Sequence, residues 1–342
     1  MYHSRIFHIT PENSIEQLFR TGVYTTPTLE SEKFIHCSTK EQVLHPAKAL
    51  FSGRTDLRLL EIDTDPEILK SKLVYEDCYK EGMLFPHVYG PISIDAIRRI
   101  HPFPWCEESG FNTPETSEDF RDSKVLALFD LDSTLIRGTQ NHRAAFERAF
   151  ESCTGQPLGL EGIPVHGQTD RNLIKKILQN AGISQSEDLL EGLEKELISQ
   201  YFRIEFEQPD TVQEIEGASE VLQYLKARGI PICAVTGNME NIGWNKLKKA
   251  SLDQFFCFGA FSSHSGERSE LVAYALREFP GLSHCFLVGD ATQDMKAARA
   301  NNILALGVTT GVASSKELTD AGADAVFSNL SEVQNYLNQI LP

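Results

Sequence analysis

Apolar runs of strand length recur through the last two thirds of the chain, and amphipathic stretches separate them. The runs are VLALFD, IPICAVTG, HCFLVGD, ILALGV and ADAVFS, and the first begins at Val125. A strand that is apolar at every position is typical of a parallel sheet whose two faces are both covered by helices. The pattern therefore predicts an α/β fold with a doubly wound, Rossmann-like parallel sheet.

The interval between the first and second of these runs has helical periodicity only. Apolar residues recur there at helical spacing, for example at Leu173, Ile174, Ile177 and Leu178, as expected of amphipathic helices. We therefore expect a helical insert over residues 139–211. The core of the same domain would then consist of residues 123–138 and 212–342.

The first hundred residues differ, because short strands and helices alternate there. RIFHIT, KFIHCS and LRLLEID predict strands, and STKEQVLHPAKALFSG predicts a helix that Pro46 breaks or kinks. This predicts a small α+β domain over residues 1–105. Residues 106–122 hold six acidic residues and no sustained apolar period, so we expect a linker there; a surface loop within one domain is the alternative.

Composition narrows the class of protein. The 342-residue chain has a formal net charge of −16, which argues against non-specific binding to nucleic acid or to an anionic membrane surface. Its seven cysteines include no Cys-x-x-Cys pair, which favours a reducing compartment over a disulfide framework. The amino terminus does not resemble a secretion signal, and no apolar run is long enough to span a bilayer. We expect a cytoplasmic protein without a nucleic-acid or membrane partner.

Acidic side chains follow the apolar runs at the points where the predicted strands end. Asp130 and Asp132 follow the first run, Asp290 follows the third, and Asp294 lies one helical turn further. Because the carboxyl ends of parallel strands meet at one edge of a sheet, we expect these carboxylates to converge. Converging carboxylates repel one another, and a hard cation with oxygen ligands relieves the repulsion. The four side chains are the predicted ligands of Mg2+.

The same positions predict a reaction at phosphorus. Asp130 is suited to attack a phosphorus atom and form an aspartyl phosphate, and Asp132 to protonate the leaving oxygen and then activate water. Thr236, Gly237 and Asn238 follow the second apolar run. We expect them to bind the phosphoryl oxygens.

These motifs resemble those of a known family. FDLDSTL, AVTGN and VGDATQD are similar to the first, second and fourth motifs of the haloacid dehalogenase superfamily, over residues 124–342. The helical insert, with its GQTDRNLI turn, resembles the cap of phosphoglycolate phosphatase-like and β-phosphoglucomutase-like members. The resemblance implies a Mg2+-dependent phosphatase that acts on a small phosphorylated metabolite, such as a phosphoglycolate-like compound or a sugar or nucleotide phosphate. A mutase is the less favoured alternative, and dehalogenases lack the second acid.

The third motif departs from the family's pattern, because that motif usually supplies a Lys and GERSELVAYALRE has none. Arg268 stands 22 residues before Asp290, and we assign it to catalysis and phosphate binding, since a guanidinium can bind phosphate through two hydrogen bonds. An exposed residue at the start of a helix is the alternative for Arg268. Lys246, Lys248 and Lys249 would then be the other candidates. The departure also leaves open a module with weak or no catalysis.

The amino-terminal domain resembles the Domain of Unknown Function 952 family, on FHIT, GVYTTPTLESEKFIHCST and FPHVYGPI. That family is similar in fold to ADP-ribosyltransferases, so the resemblance implies a pocket for a nucleotide such as NAD or ADP-ribose. The candidate pocket residues are His8, Tyr24, His36, Ser38 and His87. A position in the core or in a turn is the alternative for each of them.

Charged side chains near or within the insert are candidates for contacts with the rest of the substrate. They are Arg137, His142, Arg143, Arg171 and Lys175. Binding energy from such remote contacts positions the reacting group. Each is otherwise a solvated helix residue, and the sequence does not indicate an oligomeric state.

Overall fold

The computed structural model describes residues 5–77, 82–120 and 122–341. The chain divides into two compact units, Met1–Pro114 and Glu115–Pro342, and the division lies within the acidic segment 106–122. Part of that segment packs on the first unit, because Phe111 is buried and stacks on Phe103 with the ring centroids 4.8 Å apart.

The amino-terminal unit combines short strands with short helices. Its strands are β1 (Arg5–Pro11), β2 (Val23–Tyr24), β3 (Ile35–His36), β4 (Leu57–Asp63), β5 (Lys72–Glu76), β6 (Phe85–Tyr89), β7 (Ile92–Ser93) and β8 (Ile97–Pro102). Its helices are α1 (Asn13–Thr21), α2 (Pro27–Ser31), α3 (Leu44–Phe51) and α4 (Pro66–Leu69).

The pairing in this unit is antiparallel, in the orders β1-β4-β8, β3-β6-β5 and β2-β7. This confirms the predicted α+β architecture. The predicted break at Pro46 does not occur, because α3 begins at Leu44. Pro46 therefore lies in the first turn of the helix, where a missing N–H breaks no hydrogen bond.

The carboxyl-terminal unit has longer helices. Its strands are β9 (Val125–Phe129), β10 (Ile136–Arg137), β11 (Gln213–Glu214), β12 (Ile232–Val235), β13 (Phe258–Ala260), β14 (His284–Gly289), β15 (Leu304–Val308) and β16 (Ala325–Phe327). Its helices are α5 (Gln140–Thr154), α6 (Asp170–Asn180), α7 (Glu187–Glu207), α8 (Ala218–Ala227), α9 (Glu240–Lys249), α10 (Arg268–Arg277), α11 (Thr292–Ala300), α12 (Ser315–Asp320) and α13 (Leu330–Ile340).

Six of these strands form one parallel sheet in the order β13-β12-β9-β14-β15-β16. Successive residues of β9 enter two different apolar clusters: Ala127 and Phe129 pack in one, Leu126 and Leu128 in the other. Side chains alternate between the two faces of a strand, so both faces of the sheet are buried under helices. The predicted doubly wound fold is confirmed. Strand β13 was not predicted, although it is as long as β16, which was.

The helical insert, α5 to α7, is called the cap below. It has an apolar cluster of its own, which also includes Met239 and Ile242 of the core. The chain enters the cap through β10 and leaves it through β11, and these two strands pair with each other. None of the helices in the described part of the chain is long and apolar enough to cross a membrane.

Gly138 lies where the chain enters the cap, and it allows a prediction about stability. It has φ +86°, and an added Cβ would lie 2.4 Å from the carbonyl oxygen of Thr211. Gly155 also has positive φ, at +71°, but an added Cβ would meet no atom within 4 Å. Both Gly→Ala changes incur roughly 1–2 kcal/mol for a left-handed backbone, but only Gly138→Ala adds a clash with the backbone.

We therefore expect Gly138→Ala to lower the free energy of unfolding by about 1–3 kcal/mol more than Gly155→Ala does. Chemical denaturation of the full chain, followed by circular dichroism, measures the difference. Equal losses of stability in the two variants would show that the backbone at Gly138 does not lie so close to Thr211.

Candidate active site

Three neighbouring strands bring the sequence motifs to one edge of the sheet. Asp130 directly follows β9, Thr236 follows β12, and Asp290 follows β14. Strand β9 lies between the other two, and Phe129 pairs with both Ala234 and Val288. The strand ends are therefore level, and the side chains that follow them meet at the carboxyl edge.

A compact turn follows Asp130 and carries the second acid. The carbonyl of Leu131 accepts hydrogen bonds from the N–H groups of Leu135, at 2.8 Å, and Ile136, at 3.0 Å. Ser133 has a left-handed backbone with φ 66°. The turn keeps Asp132 at the same edge of the sheet before the chain continues into β10.

Asp130, Asp290 and Asp294 form a buried group of carboxylates, in which one oxygen from each lies within 4.8 Å of the others. Burial raises the pKa of Asp130 well above its ordinary value; Arg268 opposes this, and the charges of Asp294 and Asp290 add to it. Burial and the charge of Asp294 raise the pKa of Asp290 to about 7. Ionising all three carboxylates is thus unfavourable without positive charge beside them.

Arg268, the first residue of α10, supplies one positive charge. Its Nε donates to Asp294 Oδ1 at 2.7 Å, and its Nη2 donates to Asp130 Oδ1. Burial disfavours the charge of this side chain, but the two carboxylates outweigh it and raise the pKa of Arg268, so the guanidinium stays protonated. The structure thus brings the residue assigned in the third motif onto the expected nucleophile, and Arg268 is buried rather than exposed.

Further contacts fix the other two acids. Thr134 Oγ1 donates to Asp290 Oδ1 at 3.0 Å, and the N–H of Ala291 donates to Asp294 Oδ2 at 3.1 Å. Gly311 packs directly on Asp290, since an added Cβ would lie 1.8 Å from Oδ2. The sequence did not point to Thr134 or Gly311, because their contacts depend on how distant segments meet.

The charges and the donor types of this group fit a divalent cation. In the described part of the chain, Arg268 is the cation that forms ion pairs within this group, with Asp130 and Asp294. Taken as ionised, the group then has an excess of two negative charges. All three side chains offer oxygen donors, which Mg2+ prefers.

Asp132 does not join this group. Both of its carboxylate oxygens accept hydrogen bonds from Lys246 Nζ, at 3.0 and 2.9 Å, and Asn238 Nδ2 donates to Oδ2 at 2.7 Å. Burial opposes ionisation of Asp132, but Lys246 and Asn238 outweigh it and lower the pKa of Asp132. The sequence predicted this side chain as a metal ligand; the structure instead pairs it with an ammonium group, which already neutralises its charge.

The residues after β12 connect these side chains. Asn238 Nδ2 also donates to Thr236 Oγ1 at 2.6 Å, and Asn238 Oδ1 accepts from Lys246 Nζ at 2.6 Å. Both amide hydrogens of Asn238 are therefore used within the protein, and its side chain has none for the expected contact with phosphate. Thr236 accepts from Asn238 and so retains its O–H for a ligand. The carbonyl of Gly237 accepts from the N–H of Asp170 in the cap, at 2.7 Å.

The cap candidates differ in where they lie. His142 lies against the site, with Nδ1 3.0 Å from Lys246 Nζ and Nε2 3.1 Å from Asp170 Oδ2. Arg171 instead pairs with Glu194 and Glu187 of the cap itself. The structure leaves Arg137 and Arg143 exposed, and Lys175 is half-buried on α6. Among the contacts described here, His142 is the one of these five candidates that contacts Lys246, the partner of Asp132.

Lys246 is the functional candidate whose place the sequence did not predict. The sequence offers Lys246 only as a substitute for Arg268, whereas in the structure Lys246 contacts Asp132 and is 1% exposed. The available signal was its position: α9 buries Ile242, Gly243, Lys246 and Leu247, so this Lys stands on the apolar face of an amphipathic helix. A Lys on such a face requires a buried partner.

Comparison with known proteins identifies the carboxyl-terminal unit. Residues 127–308 match the family model described as haloacid dehalogenase-like hydrolase, and this match spans more than half of the chain. The chain belongs to the haloacid dehalogenase-like hydrolase family. The resemblance of its motifs to that family is thereby confirmed, and the chain is an enzyme of the hydrolase class.

Relatives of this hydrolase include phosphoglycolate phosphatases. The phosphoglycolate phosphatase of Neisseria meningitidis is 28% identical over 222 residues, which cover 61% of this chain and 92% of the relative. That of Pseudomonas putida is 23% identical over 191 residues, 54% of this chain and 70% of the relative. A solved structure described as a hydrolase from Pseudomonas syringae shares the fold, with TM-score 0.50, 24% identity and coverage of 64% of this chain and 99% of that one.

The amino-terminal part of the hydrolase matches a second family model. Residues 9–100 match the protein family of unknown function DUF952, which confirms that resemblance. The structure brings His8 and Tyr24 together: His8 Nε2 lies 2.9 Å from Tyr24 Oη, and Tyr24 Oη lies 2.7 Å from Thr10 Oγ1. His8 Nδ1 lies 2.6 Å from the carbonyl of His36 and therefore donates to it.

The other two candidates of this unit are His87 and Ser38. The His87 ring stacks on Phe34 with the centroids 4.2 Å apart, and lies 5.1 Å from the His36 ring. Ser38 forms a backbone pair with Phe7 of β1. The nucleotide pocket expected from the resemblance remains a prediction.

The carboxylate group leads to a prediction about metal binding. We expect the affinity for Mg2+ to fall as the pH drops below about 7, because Asp290 has a pKa of about 7 and a metal ligand must be ionised. The loss should approach about tenfold per pH unit for each proton that the metal displaces. Isothermal titration calorimetry at several pH values measures it.

Two variants control this measurement. Asp290→Asn should abolish most of the affinity, whereas Asp188→Asn, an exposed change on α7, should keep the dependence on pH. An affinity for Mg2+ that is constant across neutral pH would contradict the assignment of Asp290 as a ligand.

His8 allows a prediction about stability and pH. Burial lowers the pKa of His8 to about 4 against the opposing hydrogen bond to His36. The unfolded chain therefore protonates His8 at a higher pH than the folded chain does. The free energy of unfolding is then highest above about pH 6.5 and decreases as the pH falls toward 4. The loss approaches about 1.4 kcal/mol per pH unit.

The test compares denaturation of the wild type and of His8→Gln across this range. We expect the wild type to lose more stability between the two pH limits than the variant does. His45→Gln replaces an exposed histidine and should behave like the wild type. Parallel losses in the wild type and His8→Gln would mean that His8 is not kept neutral by burial.

Proposed function

We propose that this hydrolase is a Mg2+-dependent phosphatase that cleaves a small phosphomonoester through an aspartyl phosphate on Asp130. The observation that carries the proposal is the contact of Arg268 with Asp130 beside the further acids Asp290 and Asp294. The names of the phosphoglycolate phosphatase relatives support a small phosphorylated substrate.

Asp130 begins the reaction in this mechanism. Its Oδ1 accepts from Arg268, and its Oδ2 attacks the phosphorus atom while the bond from phosphorus to the ester oxygen breaks. Asp132 transfers its proton to the departing oxygen, which leaves as an alcohol. The negative phosphate of the substrate favours the protonated form of Asp132, because like charges raise the pKa of a carboxyl group.

The second half returns the enzyme to its first state. Asp132, now ionised and held by Lys246, takes a proton from water, and the resulting hydroxide attacks the phosphorus atom. The bond between phosphorus and Asp130 Oδ2 breaks, and inorganic phosphate forms. The hydroxyl of Thr236 donates to a phosphoryl oxygen in both halves, which stabilises the charge that develops there.

Asp130, Asp290 and Asp294 are the side chains that would hold Mg2+. When bound, the ion supplies positive charge that offsets the carboxylates and the phosphate. Arg268 acts alongside it by orienting Asp130 and by donating to the phosphate. A guanidinium stays charged even in a buried site, so this cation does not depend on pH.

The alternative of a non-catalytic module rested on the missing Lys of the third motif. Arg268 occupies the position beside Asp130 where a cation is required, so the structure offers no support for that alternative. A mutase would need a phosphoenzyme that outlasts contact with water, and no described contact favours one.

The mechanism predicts that Asp130→Asn lowers kcat by on the order of 10³-fold or more, because the covalent route is lost. Hydrolysis of 4-nitrophenyl phosphate and of phosphoglycolate, each with Mg2+ and with a chelator, measures the effect. We expect the wild type to lose its activity with the chelator.

Asp188→Asn provides the matched control, since it makes the same change at an exposed position of α7. It should retain the activity of the wild type. Hydrolysis that survives Asp130→Asn, or that is unaffected by the chelator, would overturn the proposed function.

A further inference from the structure

Lys246 is a buried cation that the mechanism above uses only as a neighbour of Asp132. Its side chain is 1% exposed, and a buried ammonium group is costly unless all of its hydrogens have acceptors. Its three acceptors are the carboxylate of Asp132, Asn238 Oδ1 at 2.6 Å and His142 Nδ1 at 3.0 Å. An ammonium group has three hydrogens, so the set is complete.

These contacts determine the tautomer of His142. An ammonium group can only donate, so Nδ1 of His142 must accept, and the hydrogen of a neutral ring is then on Nε2. Nε2 donates to Asp170 Oδ2, at 3.1 Å. The same oxygen of Asp170 accepts the N–H of Met239, at 2.7 Å.

The chain of contacts passes twice between core and cap. Asp132 and Lys246 belong to the core, His142 and Asp170 to the cap, and Met239 again to the core. Cap residues next to Asp170 add two more links, because Thr169 Oγ1 donates to the carbonyl of Gly266 at 2.6 Å, and Ser262 Oγ accepts from the N–H of Arg171 at 3.0 Å.

Asp132 needs such support. Its side chain is 35% exposed, whereas that of Asp130 is 8% exposed. A half-exposed carboxylate on a turn can rotate toward solvent, away from the leaving oxygen that it must protonate. Lys246 contacts both oxygens of Asp132 and so restricts that rotation.

We propose that Lys246 is a positioning residue, which holds the Asp132 carboxylate at the leaving-group side while His142 and Asp170 of the cap hold Lys246. The inference rests on the proposed function, because Asp132 protonates the leaving group there. It goes beyond that function by placing the support of the acid on α9 and on the cap.

The leaving group of the substrate separates this role from a merely structural one. An alkyl phosphate needs a proton on its leaving oxygen, whereas 4-nitrophenolate leaves with little help. Lys246→Met keeps the length of the side chain and removes its donors. We expect kcat/KM for benzyl phosphate to fall on the order of 10²-fold, and kcat/KM for 4-nitrophenyl phosphate to fall less than about tenfold. His142→Gln should shift the same ratio in the same direction, by less.

Lys248→Met is the matched control, because Lys248 is exposed on the same helix and the substitution is the same. It should leave both rates unchanged. If Lys246→Met lowers kcat/KM for both compounds by the same factor, or for neither, Lys246 does not position Asp132 and the inference is overturned.

A second measurement on the wild type needs neither activity nor a stable variant. Nitrogen-15 NMR of the histidine rings reports whether His142 carries its hydrogen on Nε2 and accepts at Nδ1. A hydrogen on Nδ1 would rule out the contact with Lys246 and overturn the inference. If the wild type hydrolyses neither compound but the expected form of His142 is found, the proposed function fails and the contact of Lys246 with the cap stands.

Discussion

The candidate active site depends on one physical constraint, which is the burial of like charges at one edge of a parallel sheet. Asp130, Asp290 and Asp294 are buried together, and both burial and the neighbouring carboxylates raise the pKa of Asp130 and of Asp290. Arg268 offsets only part of this repulsion. The group keeps an excess of negative charge, so the remaining positive charge must come from a ligand. In the proposed function that ligand is Mg2+, whose charge also offsets that of the substrate's phosphate.

A second ion pair separates the two acids of the first motif. Asp130 and Asp132 are two residues apart in sequence, yet one is held by Arg268 from α10 and the other by Lys246 from α9. The pKa of Asp130 is raised and that of Asp132 is lowered. Carboxylates with different surroundings can take different tasks in one reaction. Burial and the neighbouring carboxylates raise the pKa of Asp130 against Arg268, whereas Lys246 and Asn238 lower that of Asp132 against burial, so the surroundings rather than the motif itself create that difference.

The sequence predicted those features that depend on local pattern. The continuous apolar runs located the parallel strands, because a strand buried on both faces has no polar positions, and the acids at the run ends located the site. Strand β13 was not predicted, although the apolar run FFCFGAF that contains it resembles those of the other strands. The pairing of Lys246 with Asp132 joins residues 114 positions apart. Such a contact follows from the packing of α9 against the sheet and the cap, which periodicity does not specify.

In the proposed mechanism, the exposure of the two acids also determines how the substrate is oriented. Asp130 is nearly buried, so the phosphoryl group must lie deep at the strand ends, whereas the half-exposed Asp132 marks the side that is open to water. The leaving group therefore lies between Asp132 and the cap, where His142 approaches. The chain enters the cap through β10, directly after the turn that carries Asp132. In the proposed mechanism, the cap, which would contact the variable part of the substrate, is thus connected by sequence and by hydrogen bonds to the acid that protonates the leaving group.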